Sequence, residues 1–214
     1  MSARRAWLAG ATGVVGGYCL DALLADADCA RVHAFVRRPL ASSDAKLSAH
    51  IVDFDRLAEM PTPPPVDDAY CCLGTTMKQA GSREAFERVD YSYVLALAEL
   101  ALLSGATQFL LVSAVGADAQ SPFYYSRVKG RAEEAVQALG FRCVHIFRPS
   151  LLLGPREEER PLEALSKAIA PAFAPLMLGS LAIYRPVHAR DVARRMVAVA
   201  AENRSGRHVH YFTE

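Results

Sequence analysis

Three side chains able to move a proton at a carbinol oxygen lie close together in the chain: Ser113, Tyr125 and Lys129. Tyr125 and Lys129 fall in "SPFYYSRVKGRA", four residues apart, so on a helix they share a face. Hydride transfer to or from a carbinol carbon needs a proton to move at its oxygen. A free phenol, with a pKa of about 10, is a poor base at neutral pH. A lysine ammonium one turn away favours the phenolate and makes it competent. The same ammonium can hold the ribose of a nicotinamide nucleotide, and a serine hydroxyl can orient the substrate oxygen. Of the eight tyrosines, Tyr125 alone has a lysine four residues on. Such a pair also arises by chance, and Ser113, twelve residues earlier at the end of an apolar run, is what adds to it. The adjacent Tyr124 would sit about 100° round the helix, with Val128 one turn on, and is assigned to packing or to a substrate wall.

Such chemistry needs a cofactor cradle, and the N-terminus offers one. Gly10, Gly13 and Gly16 form "GATGVVG" between an apolar run and a stretch of helical spacing. Glycines there allow a tight turn and let a pyrophosphate approach the backbone, while the helix N-terminus presents free N–H groups. Glycine turns are common, and the context of alternating strands and helices is what points to a nucleotide. Arg37 lies 21 residues after Gly16 and Arg38 follows, where a carboxylate would bind a ribose hydroxyl. Arginine suits a 2′-phosphate, which favours NADP (NADPH) over NAD; two solvated arginines before a proline turn are the plainer alternative. Leu73 and Gly74 in "LGTT" would bring bare backbone past the ribose, or make an ordinary turn. Asp53 is expected at the end of a third strand, either at the adenine end or as a loop or capping residue.

The elements that must position these residues alternate. Strands are expected in "RAWLAGATG", at Arg31–Arg37, His50–Asp55, Asp68–Thr76 and Thr107–Ala114, at the start of Arg142–Gly154, and at Arg207–Phe212. A helix follows the glycine turn, a long one, broken or bent within, runs over Ser82–Ser104, another over Ser126–Leu139, and a further one follows His188. This is the pattern of an α/β, Rossmann-type doubly wound parallel sheet with helices on both faces. Nearly continuous apolar strands fit a sheet covered on both sides. The whole chain, 1–214, reads as a single domain, with a small substrate-side or lid segment at about 155–186.

These residues resemble the short-chain dehydrogenases/reductases of the extended or atypical type. The longer stretches "CCLGTTMKQAGSREAFERVDYSYVLALAELA", "LLVSAVGAD", "YYSRVKGRAEEAV" and "FRPSLLLGPREEERP" are similar to the Tat-interacting-protein-like oxidoreductases, an NADP(H)-binding branch. The resemblance covers roughly residues 6 to 200. It implies Ser113, Tyr125 and Lys129 as a catalytic triad. It implies Gly10, Thr12, Gly13, Val15, Gly16 and Arg37 at the pyrophosphate and 2′-phosphate, Leu73 and Gly74 along the ribose, and Pro149, Ser150 and Leu151 near the nicotinamide. Arg148 has a plain alternative as a strand-end ion pair. Extended members often carry asparagine where this chain has Asp90, which puts a relay through that position in question.

The implied activity is an NADP(H)-dependent oxidoreductase acting on a small carbonyl or alcohol that fits under Ala168–Tyr184. The rivals are an NADP(H)-binding redox sensor or regulatory protein with a protein partner, and an epimerase-like enzyme of nucleoside-diphosphate sugars, disfavoured by the short C-terminal part. A homodimer is compatible with either. With a net charge of +1 the chain gives no reason to expect nucleic acid. The N-terminal apolar run is too short for a signal peptide core, and Ala168–Tyr184 is broken by Pro171, Pro175 and Gly179, so membrane contact is not expected. Five cysteines without metal-ligand spacing read as reduced, mostly buried thiols of a cytoplasmic protein. His208 and His210 share a strand face, but a third metal ligand is not evident, and no metal site is expected.

Overall fold

The structure is a computed structural model that describes residues 3–61, 63–154 and 179–213. Its first strand, β1 (Arg4–Ala9), runs straight into the glycine turn and helix α1 (Val14–Ala25). Strands β2 (Cys29–Val36) and β3 (Leu47–Ile51) follow, then a 3₁₀ turn at Phe54–Glu59 and strand β4 (Asp68–Cys71). After two short helices, α2 (Met77–Ala80) and α3 (Arg83–Glu87), come helix α4 (Tyr93–Leu103) and strand β5 (Gln108–Val112). Helix α5 (Tyr124–Ala138) leads to strand β6 (Cys143–Phe147) and the two-residue strand β7 (Leu152–Leu153). A 3₁₀ turn at Gly179–Tyr184, strand β8 (Val187–His188), helix α6 (Ala189–Ala201) and strand β9 (Gly206–His210) follow.

Seven strands form one parallel sheet in the order β3-β2-β1-β4-β5-β6-β9, and β7 pairs with β8 beside it. The order reverses direction between β1 and β4. At such a switch point the loops leaving the two strands diverge and open a crevice over their C-terminal ends. The expected Rossmann-type sheet is therefore present.

Alternation along the buried strands divides the core in two. Ala6 and Leu8 of β1 join Val15, Cys19, Leu20 and Leu23 of α1 and Val192, Ala193 and Met196 of α6 on one face. Trp7 and Ala9 join Val94, Leu97 and Ala98 of α4 and Ala132 and Val136 of α5 on the other. Cys71 and Cys72 point into opposite clusters, as neighbours on a strand must, and all five cysteines are free. Each large aliphatic side chain buried this way stabilises the fold by roughly 1.5–3 kcal/mol.

Three expectations need correction in detail. The third strand ends at Ile51 rather than Asp55, because Asp53 Oδ1 accepts the Asp55 N–H at 3.0 Å and turns the chain into a 3₁₀ helix. The fourth strand ends at Cys71 rather than Thr76, while the long helix over Ser82–Ser104, capped by Ser82, is broken within as expected, by a π-helical turn at Arg88–Ser92. Helix α5 starts two residues before the expected Ser126, which puts Tyr125 in its first turn. The expected lid segment falls mostly on residues 155–178, outside the described residues.

Candidate active site

The cradle is built by close approach. A Cβ on Gly16 would lie 1.9 Å from the Gly10 carbonyl oxygen, and one on Gly10 would lie 2.5 Å from the Cys72 carbonyl oxygen. Gly10 also has φ +87°, a backbone state that side chains rarely adopt. The turn left by β1 is thus pressed against the exit of β4, at the switch point itself. Gly13 donates to the Gly10 carbonyl at 2.9 Å and then serves as N-cap of α1 with no side-chain cap. The first-turn N–H groups of a twelve-residue helix point out of the crevice floor with no acidic side chain over them. A pyrophosphate fits that donor set. Thr12 and Val15 flank the turn, Thr12 exposed and Val15 buried beneath it.

Arg37 and Arg38 follow β2 at the same edge, both exposed, with no hydrogen bond or ion pair among the described residues. They are free to meet an anion. Asp53 lies past β3, exposed and engaged as a cap. Leu73 packs into the lower core and Gly74 is exposed. Pro149, Ser150 and Leu151 leave β6 at this edge: the Pro149 carbonyl accepts from Val115 N–H at 3.0 Å, the Ser150 hydroxyl donates to the Arg185 carbonyl, and the Leu151 carbonyl accepts from Val187 N–H at 3.0 Å.

Helix α5 supplies the next layer. Its close seat depends on Gly130, where a Cβ would lie 2.1 Å from the Ala119 nitrogen in the loop that follows Ser113. Tyr125 is 39% exposed, its ring resting on buried Phe86 of α3 at 5.5 Å between centroids. Lys129, one turn on, is buried, and its Nζ lies 2.7 Å from Asp90 Oδ1. The other Asp90 oxygen accepts the Thr75 N–H at 2.8 Å. The π-helical turn therefore lets one carboxylate tie the loop after β4 to helix α5. Burial opposes the Lys129 charge, but Asp90 and Tyr125 outweigh it and hold the ammonium above its ordinary range.

Ser113 emerges from β5 on the same side of the sheet and is buried. Its hydroxyl donates to the Glu133 carboxylate on α5. Arg148, just after β6, grips that carboxylate through Nε at 3.0 Å and Nη2 at 2.5 Å. These bonds to Glu133, opposed by burial, raise the Arg148 guanidinium further above its already high ordinary value. Arg148 Nη1 also donates to the Tyr211 hydroxyl at 2.8 Å.

Tyr124 turns the other way. Its hydroxyl donates to the Arg83 carbonyl at 2.8 Å and lies 2.9 Å from Glu87 Oε2, pinning α5 to α3. The sequence readings of Tyr124 as a packing residue and Arg148 as a strand-end ion pair both match these contacts. Glu133 was missed, although Tyr125, Lys129 and Glu133 recur every four residues on one helical face.

A sequence profile of the NAD dependent epimerase/dehydratase family matches residues 6–212. The chain belongs to this family. Protein HTATIP2 of Rattus norvegicus is 38% identical over 171 residues, covering 78% of this chain and 70% of that protein. Protein fmp52, mitochondrial, of Emericella nidulans is 39% identical over 174 residues, covering 78% and 74%. Among solved structures, UDP-N-acetylglucosamine 4-epimerase from Methanobrevibacter ruminantium M1 superposes with a TM-score of 0.71 at 14% identity, over 100% of this chain and 78% of that one. DesIV, a dTDP-glucose 4,6-dehydratase from Streptomyces venezuelae with NAD bound, gives 0.69 at 19% identity, over 96% and 74%. At these identities the structures show a shared Rossmann fold. Membership of the family, with the HTATIP2-like relatives, agrees with the extended short-chain resemblance read from the motifs.

A cluster of histidines joins β6 to β9. His145 Nδ1 and His210 Nε2 are 3.0 Å apart, and the His145 ring stacks on His208 with centroids 5.0 Å apart. Among the described residues no group of three or more His, Cys, Asp and Glu side chains could hold a metal ion. Among them, too, no helix is long and apolar enough to cross a membrane.

Proposed function

We propose that the protein is an NADP(H)-dependent oxidoreductase of the short-chain type that acts on a small carbonyl or alcohol compound. The observation that carries this reading is the α5 face: Tyr125 partly exposed in the first turn, with the buried Lys129 ammonium one turn behind it. The cradle of Gly10, Gly13 and Gly16 would hold the pyrophosphate, Arg37 and Arg38 a 2′-phosphate, and Lys129 the nicotinamide ribose. The cofactor supplies or accepts the hydride when bound. Tyr125 then gives a proton to the substrate oxygen during reduction, or takes it during oxidation. Lys129 stabilises the phenolate left behind, and Ser113, whose own proton goes to Glu133, can accept a hydrogen bond from the alcohol form of the substrate. Phe86 supports the Tyr125 ring and keeps water from one of its faces.

A second reading, an epimerase-like enzyme on a nucleoside-diphosphate sugar, draws support from the family profile and from the fold neighbours, whose titles name UDP- and dTDP-sugars and NAD. Arg37 favours the first reading, since two unpaired arginines at the end of β2 suit a phosphate better than a bare ribose.

The test is NADPH oxidation by the purified protein across a panel of aldehydes, ketones and quinones, with NADH in parallel. Turnover of a carbonyl with NADPH preferred is the expected result. Equal or reversed cofactor preference overturns the role given to Arg37. Turnover of nucleotide sugars alone supports the second reading.

A further inference from the structure

Buried charge beside a nicotinamide site has a consequence that the proton chemistry alone does not capture. Nicotinamide is cationic when oxidised and neutral when reduced, so any uncompensated charge nearby favours one form over the other. Lys129 and Asp90 form a buried pair, with side-chain exposures of 8% and 0%. Water screens neither of them effectively, and their fields reach further than those of a surface pair.

We propose that Asp90 sets which redox form of the nicotinamide the crevice retains, by cancelling the Lys129 charge and so removing a penalty on the oxidised, cationic ring. Three features of the site support this. First, the pair sits at the crevice surface: a Cβ on exposed Gly74 would lie 3.5 Å from Asp90 Oδ1 and 3.6 Å from Lys129 Nζ. The exposed backbone of Gly74 thus lies against both members of the pair. Second, among the described residues no other uncompensated charge competes there. The neighbouring Glu133 is matched by Arg148, and burial pushes the Cys71 thiol up to about 12, so it stays neutral. Third, Asp90 is held in place independently of Lys129 by the Thr75 N–H. An asparagine would keep the shape and that bond while leaving the ammonium uncompensated.

The inference rests on the cofactor reading above. With Asp90 the site carries no net charge, and NADP+ and NADPH compete on nearly equal electrostatic terms. With asparagine it would carry one positive charge and expel NADP+ selectively. A residue that served structure alone would weaken or spare both forms together.

The experiment is calorimetric titration of the full-length protein with NADP+ and with NADPH, repeated with NAD+ and NADH. In Asp90→Asn the ratio of the NADP+ to the NADPH dissociation constant should rise on the order of tenfold, the size expected of one uncompensated charge nearby. Lys129→Met leaves Asp90 alone and should move the ratio the opposite way, which keeps the inference testable if Asp90→Asn does not fold. The double variant Asp90→Asn/Lys129→Met is again neutral and should return the ratio to within about twofold of wild type, even if both affinities fall. A ratio unchanged in both single variants would overturn this inference alone. Wild-type protein that binds no nicotinamide nucleotide in either form would overturn the cofactor reading and this inference with it.

Discussion

The Ser113 hydroxyl donates to Glu133, a buried carboxylate that Arg148 holds from the far side. The serine's one proton is therefore committed within the protein, and its lone pairs are what it offers the crevice. The chain of contacts runs on to Tyr211, just past β9. It links β5, α5, β6 and the end of β9 at the level where the candidate chemistry lies.

Breaking that pair from one side should be costly. Glu133 has 4% of its side chain exposed and Arg148 21%, so Arg148→Met strands a carboxylate in the interior. Urea unfolding should show a loss of about 3 kcal/mol or more. The double variant Arg148→Met/Glu133→Leu removes both charges and should recover much of that loss. A double variant no more stable than the single one would show that the two residues do not act as a pair.

The two adjacent tyrosines should separate cleanly. Tyr124→Phe removes the hydroxyl that bonds Arg83 and Glu87, and should lower stability by about 1 kcal/mol in chemical denaturation. It should leave NADPH binding as it was. Among the described residues Tyr125 makes no such tether and rests on Phe86, so Tyr125→Phe should unfold at nearly the wild-type denaturant concentration.

Acid should weaken the fold before carboxylates begin to titrate. Burial, reinforced by neighbouring positive charge, brings His145, His210 and His33 down to about 4. In the unfolded chain imidazoles take up protons near about 6.5, so between that pH and about 4 the unfolded state binds more protons than the folded one. Stability should be flat between pH ~6.5 and about 8, where thiols of the unfolded chain begin to ionise, and fall on acidification through the range down to about 4. Thermal melts at half-unit intervals measure this. His145→Leu should flatten the slope; an unchanged slope would show that His145 is not among the groups responsible.

Glycines of the cradle should differ from glycines of ordinary turns. Gly16→Ala would put a methyl 1.9 Å from the Gly10 carbonyl oxygen, and the turn cannot keep its shape. Nucleotide binding should be lost, with a fall in melting temperature. Gly81→Ala, at φ +78° with nothing within 4 Å, should cost only about 1 kcal/mol and leave binding intact.

Much of this was legible in the sequence because it depends on local pattern. Apolar runs became the strands, and Gly10, Gly13 and Gly16 fell at the strand–helix junction because tight turns demand glycine. Tyr125 and Lys129 met on one face because helical spacing fixes it. Tertiary contacts were not legible. The stop of β3 at Ile51 is local by contrast: Asp53 caps the turn that follows, one of the roles its sequence position had offered. The π-helical turn at Arg88–Ser92 accompanies an Asp90 side chain held by both Lys129 and Thr75, residues remote in sequence. Nothing local marks Glu133 for burial, and only Ser113 and Arg148 arriving from two strands explain it. His145 gave no sign that it would stack on His208 and bond His210 across β6 and β9.

The central claim is that Tyr125 moves the proton that accompanies hydride transfer. Its most direct test is the single-turnover rate of NADPH oxidation with a carbonyl substrate found in the panel, compared between wild type and Tyr125→Phe with the nucleotide saturating. The account predicts a rate lowered by about 10²–10⁴ with NADPH affinity unchanged. A Tyr125→Phe protein that oxidises NADPH at the wild-type rate would contradict it.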